Sequence, residues 1–140
     1  MANRYGEAAL MAVRMETYGK QITPGERWAQ ATKTLYPTSE KAQRKTAPKG
    51  AFLGLCDAGL VKGIPAGKYG ATRDNANYAI AASALLVAGT HTSVSSLWAA
   101  VTNGDGTEHQ SQMDVVMALW KNGLIVKPAT TPKVTPDSKE

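Results

Sequence analysis

From Pro48 to Gly59 the chain reads Pro-Lys-Gly-Ala-Phe-Leu-Gly-Leu-Cys-Asp-Ala-Gly, which is apolar on nearly every side of a helix. Proline suits a first helical turn, where its missing N–H would be unpaired anyway, and glycine suits the residue just past a helix end. A helix that is hydrophobic all round has no face to give to water, so other elements must surround it. Gly50, Gly54 and Ala58 recur every four residues, so they share one face on which a neighbour can come close. The segment predicts a helical core built around residues 48–58.

The rest of the chain supplies the surrounding helices, and strand signals do not recur. Residues 3–18 are rich in Ala, Met and Leu, with Asn3 as a candidate cap and Gly19 as a candidate stop. Thr23-Pro24 opens a second helix, whose Trp28, Ala31, Thr32 and Leu35 fall on one face. Tyr36-Pro37 ends it, because the residue before proline avoids helical geometry. Thr38 or Ser39 caps a short polar third helix over 40–45, and the central helix follows. Glycines 59, 63, 67 and 70 with Pro65 make 59–73 a long loop. Asp74 caps a fifth helix with Tyr78, Ala81, Ala82, Leu85 and Leu86 as its stripe, ended by Gly89. Thr92 or Ser93 caps a sixth with Val94, Leu97, Trp98 and Val101. A turn at 103–106 leads to a seventh over 108–122, packing through Met113, Val116, Met117 and Trp120.

The expected fold is therefore all-α, a bundle of six or seven short helices in a single domain over 1–126. Residues 127–140, with Pro128, Pro132 and Pro136 among Thr, Lys and Asp, have little to bury and read as a disordered tail. One internal echo stands out. Leu55-Cys56-Asp57-Ala58-Gly59-Leu60-Val61 resembles Leu119-Trp120-Lys121-Asn122-Gly123-Leu124-Ile125, and the same capping physics used twice accounts for it.

Composition narrows the function classes. A chain of 140 residues that is 43% hydrophobic and 19% charged can bury a real core. Its one cysteine allows neither an intramolecular disulfide nor a cysteine-based zinc cluster. No apolar run approaches the roughly 20 residues of a membrane span, and the first residues lack a secretion core. The expectation is a cytoplasmic domain without membrane association. The formal charge of +5 is regional. Residues 1–50 hold nine basic and four acidic side chains, while 51–140 hold seven of each. A local positive field points to an anionic partner.

Catalytic patterns are weak. Cys56 lies on the apolar helix and reads as a small buried hydrophobe. His91 and His109 show no metal-ligand spacing, and no nucleophile elbow occurs. The loop from Gly63 to Tyr69 superficially resembles a phosphate-cradling loop. Its glycine spacing is one residue short, and Tyr69 stands where magnesium would need Ser or Thr. Residues 103–108 lack the twelfth-position glutamate of a calcium loop. No cofactor or metal is expected, and the protein reads as non-enzymatic.

What remains is binding. Lys41, Arg44, Lys45 and Lys49 cluster around the third helix, with Lys62, Lys68 and Arg73 as further cations and Tyr69 as the one candidate stacking aromatic. Three successive helices between Thr23 and Gly59 suit a helix-turn-helix, yet the helix that would read DNA looks like core. Only a frame with the third helix outward exposes the basic face. The leading expectation is binding to the DNA or RNA phosphate backbone. The alternative is an adaptor or inhibitor docking its basic face on an acidic protein partner.

The opening Tyr5-Gly6-Glu7-Ala8-Ala9 and the block from Lys49 through Cys56 to Gly67 resemble a small family of bacterial and mobile-element, phage-like proteins with no assigned activity. The resemblance covers roughly residues 5–126 and implies an all-helical domain. Its motifs are glycines, caps and core residues, so no catalytic or binding residue transfers from it. By analogy of class, such a protein could block a host or phage defence enzyme.

Overall fold

The computed structural model describes residues 4–16, 18–20 and 22–126, and these form seven helices: α1 (Tyr5–Arg14), α2 (Pro24–Leu35), α3 (Glu40–Gln43), α4 (Thr46–Asp57), α5 (Arg73–Ala88), α6 (Val94–Val101) and α7 (Gln112–Lys121). The all-α bundle expected from the sequence is the observed fold. The Asn3 cap and the tail at 127–140 lie outside the described residues.

The central helix is α4. Ala47, Pro48 and every residue from Gly50 to Cys56 are buried, and α5, α7 and α2 pack around it. Its glycines mark where α5 lies. A Cβ at Gly54 would collide with the Cα and Cβ of Ala76, and one at Gly50 would collide with Thr72 Oγ1. Only hydrogen at these two positions allows the backbones to come so near. Ala58, third of the small residues, is exposed past the helix end. Around α4, Trp28 stacks on Phe52 with ring centroids 5.2 Å apart, and Tyr5 on Trp28 at 6.4 Å, a spacing typical of aromatic pairs.

Local signals set several ends. Thr23 Oγ1 accepts from the Glu26 N–H at 3.2 Å while Glu26 Oε1 accepts from the Thr23 N–H at 3.1 Å, a reciprocal capping box. Ser93 and Ser96 do the same for α6. Gly59 and Gly123, both at φ +72°, close α4 and α7 identically. The Leu60 N–H returns to Leu55 O at 3.0 Å, and the Leu124 N–H to Leu119 O at 2.9 Å. The echoed segments then pair with each other. Val61 and Ile125 form an antiparallel bridge, flanked by Lys62 N–H to Leu124 O at 2.9 Å and Val126 N–H to Leu60 O at 2.7 Å. Capping used twice is what the structure contains, with the two capped ends tied together.

Several expectations needed correction. α3 ends at Gln43 rather than Lys45, with Arg44 as its C-cap. α5 opens at Arg73 with Thr72 as its N-cap, so Asp74 lies in the first turn rather than capping it. α1 stops at Arg14 rather than running to Tyr18, because Arg27 takes its last carbonyls, donating to Ala12 O at 3.0 Å and Met15 O at 3.5 Å. Tyr18 and Gly19 then turn in left-handed geometry. α5 buries Ala79, Ala82, Ser83 and Leu86, while Ala81 is exposed and Tyr78 and Leu85 are half-buried. A helix this rich in alanine offers little polarity contrast to orient it. α7 begins at Gln112 rather than near Glu108, since Ser111 is left-handed at φ +77° and interrupts the run.

Candidate functional site: a basic corner at the α3–α4 junction

α3 buries no residue, yet it is pinned in place. Ser39 Oγ accepts from the Ala42 N–H at 3.2 Å. The Tyr5 hydroxyl donates to Ala42 O at 2.8 Å, and Gln43 Nε2 donates to Tyr36 O at 2.7 Å. Four residues cannot hold a helix by themselves; here α1 and the end of α2 supply the missing interactions.

The pinned α3 and the start of α4 border an open hollow of about 720 Å³, lined by Lys41, Arg44, Lys45, Tyr5, Thr46 and Gln110 among others. No acidic residue lines it. Lys45 is half-buried, its Nζ 5.7 Å over the Tyr5 ring, where the π face favours a cation. Lys45 is also the N-cap of α4 and no side chain caps that end, so the positive end of the helix dipole adds to the field. The counter-charge is slight. Glu40 lies 3.8 Å from Arg44 Nη2, with both side chains 80% exposed, and such pairs hold little energy in water.

The fold brings some expected residues together and separates others. Lys41, Arg44 and Lys45 share the hollow. Lys49 lines a second, smaller hollow that also includes Arg44 and Thr46. Arg73 is exposed at the start of α5, next to Thr72, which packs on Gly50. It therefore sits toward the same half of α4 as the corner. Lys62 and Lys68 are exposed near the opposite end of α4, and a helix of twelve residues is roughly 18 Å long. Tyr69 belongs to that far end too: its N–H donates to Asp57 Oδ1 at 2.7 Å and its hydroxyl to Pro65 O at 2.7 Å. Its half-buried ring lines a hollow with Arg27 and Lys20, away from the corner cations.

Tyr5 and Gln110 at the corner were not legible in the sequence. Tyr5 sits in an apolar helix start, and Gln110 arrives from the loop before α7. The loop's neighbour His109 accepts the Met113 N–H on Nε2 at 3.1 Å, and its ring packs at a tilt against Trp98 with centroids 5.0 Å apart. Burial pushes the His109 pKa below its usual range and Lys45 pushes the same way, against an opposing pull from Asp114. The Cys56 thiol, buried and beside Asp57, is pushed up to about 12. It is a core group rather than a nucleophile. Among the described residues no three His, Cys, Asp or Glu side chains are placed to hold a metal ion, and no helix is long and apolar enough to cross a membrane.

Residues 2–126 match the model of a family described as "Family of unknown function (DUF6979)". The chain belongs to that family. No curated protein and no solved structure matches it. The DUF6979 match spans all seven helices and the basic corner.

Proposed function

We propose that this DUF6979 protein is a non-enzymatic binding module that engages the phosphate backbone of a nucleic acid through its α3–α4 corner. The observation that carries the reading is the convergence of Lys41, Arg44 and Lys45 on one hollow with no acid in its lining. Lys49, in an adjoining hollow that shares Arg44 and Thr46, extends the cationic surface. Phosphate oxygens match these donors, Arg as a fork and Lys as a point charge. The outward helix is α3, since α4 is committed to the core. A bacterial or mobile-element origin and a cytoplasmic location belong to the same proposal.

Fluorescence anisotropy with labelled duplex DNA, single-stranded DNA and RNA at low salt tests it. Binding is expected to weaken with salt at a log–log slope of about one per phosphate contact, and the double reversal Arg44→Glu/Lys45→Glu is expected to abolish it. If none of the three nucleic acids binds, the reading fails. Capture of one stoichiometric acidic protein by the same corner, insensitive to nuclease, would replace it.

A further inference from the structure

The first turn of α7 is capped by a ring nitrogen. The Met113 backbone N–H donates to His109 Nε2 at 3.1 Å, so an imidazole before the helix takes the place of the usual capping oxygen. A backbone N–H can only donate, so Nε2 must keep its lone pair and the neutral ring carries its proton on Nδ1. A proton on Nε2 would set two donors against each other and end the bond.

The surroundings favour the neutral ring. His109 is half-buried and packs at a tilt against Trp98 of α6, which in turn packs edge-on to Tyr78 of α5. Burial opposes charging of the ring, Asp114 on α7 favours it, and Lys45 before α4 opposes it. α6 holds no charged side chain, and on the loop itself Asp105 and Glu108 are exposed.

The segment that carries His109 is lightly held. Residues 103–108 are all exposed. Trp98 Nε1 donates to Thr107 O at 2.8 Å, and the Gln110 N–H to Gln112 Oε1 at 2.7 Å. Between loop and helix, Ser111 is left-handed at φ +77°. That geometry is costly for a residue with a side chain and persists only where neighbours enforce it. Gln110, next to His109, lines the basic hollow.

We infer that His109 is an acid-released latch. When its ring takes up a proton, the first turn of α7 loses its Nε2 cap and Ser111 is free to leave its left-handed geometry. The 103–110 loop then moves away with Gln110, opening one wall of the basic hollow while the core around α4 stays folded. The inference does not depend on what the hollow binds. Its direction follows from linkage. The latched ring resists protonation, and the released ring titrates near its ordinary value of 6.5. The latch therefore keeps its full strength above that value. Below it, release gains about tenfold per pH unit, the uptake of one proton, and levels off beneath the latched pKa.

Nitrogen–proton correlation spectra of the full chain, recorded from about pH 7.5 down to about pH 4.5, span the range in which histidine titrates and test the latch. The Met113 amide, the Trp98 indole and the Gln110 side-chain amide are expected to shift together with the His109 midpoint, while amides of α4 stay in place. Met113 amide exchange, corrected for its intrinsic pH dependence, is expected to quicken about tenfold per pH unit across the same window. Met113 or Gln110 signals that do not move overturn the inference. Loss of the α4 signals at the same midpoint also overturns it, because the event would then be global unfolding. His109→Gln puts a neutral carboxamide in place of the ring and is expected to remove the step, whereas His91→Gln keeps it. A step that survives His109→Gln, or vanishes with His91→Gln, sinks the idea. Should His109→Gln fail to fold, the wild-type titration decides by itself.

Discussion

α3 and α4 are separated by two residues, Arg44 and Lys45, and they could hardly differ more. α3 is polar, four residues long and buries none of them. α4 is apolar and buried from Ala47 to Cys56 apart from Lys49. The core depends on the second, while the first can carry charge because no packing requires it. The difference teaches where this fold has freedom: a helix held by its own Ser39 cap and two side-chain hydrogen bonds to its neighbours can present Lys41, Arg44 and Lys45 to a partner at little cost to stability.

That contrast can be broken most forcefully from the α4 side. Phe52→Ala is expected to cost about 3–5 kcal/mol, read as a lower midpoint in urea denaturation, because Phe52 is fully buried and stacks on Trp28. Gly54→Ala comes next, at about 1–3 kcal/mol of overpacking, since the added methyl meets the backbone of Ala76. A stability unchanged by Gly54→Ala would show that the close α4–α5 approach is not needed.

His109, joined to α7 by its hydrogen bond and repelled as a cation by Lys45, lies between the two regimes. Its pKa is lowered in the fold, so folding favours the neutral ring. The stability it contributes is whole above its ordinary value of 6.5 and is lost as the pH falls through the folded pKa. His109→Ala is expected to cost about 1 kcal/mol at pH 7.5, the worth of a helix-end hydrogen bond, and to flatten the acid side of the stability profile. An unaltered profile would remove His109 from the account. The smallest stability change is expected on α3. Lys41→Glu with Arg44→Glu should change the unfolding free energy by no more than about 0.5 kcal/mol while eliminating nucleic-acid binding. A large loss of stability there would mean that the corner is structural after all.

Legibility followed the range of the physics involved. The Thr23 cap, the Ser93 cap and the Gly59 and Gly123 ends were readable because each involves residues within a few positions of one another. The central place of α4 was readable because twelve consecutive residues say the same thing. The buried face of α5 was not, since alanine packs on any side and only the seating of Ala76 on Gly54 rotates the helix into register. Nor was the end of α1, which is decided by a guanidinium arriving from α2.

The same division runs through the candidate site. By itself the sequence determined that this chain is helical, that residues 48–58 are its centre, and that its excess positive charge lies in the first 50 positions. Only the tertiary structure decided which cations share a hollow. It joined Tyr5 and Gln110 to Lys41, Arg44 and Lys45, and sent Lys62, Lys68 and Tyr69 to the other end of α4. Caps and periodicity act across a turn or two of chain. Convergence depends on packing between elements far apart in sequence, to which the local pattern of residues is blind.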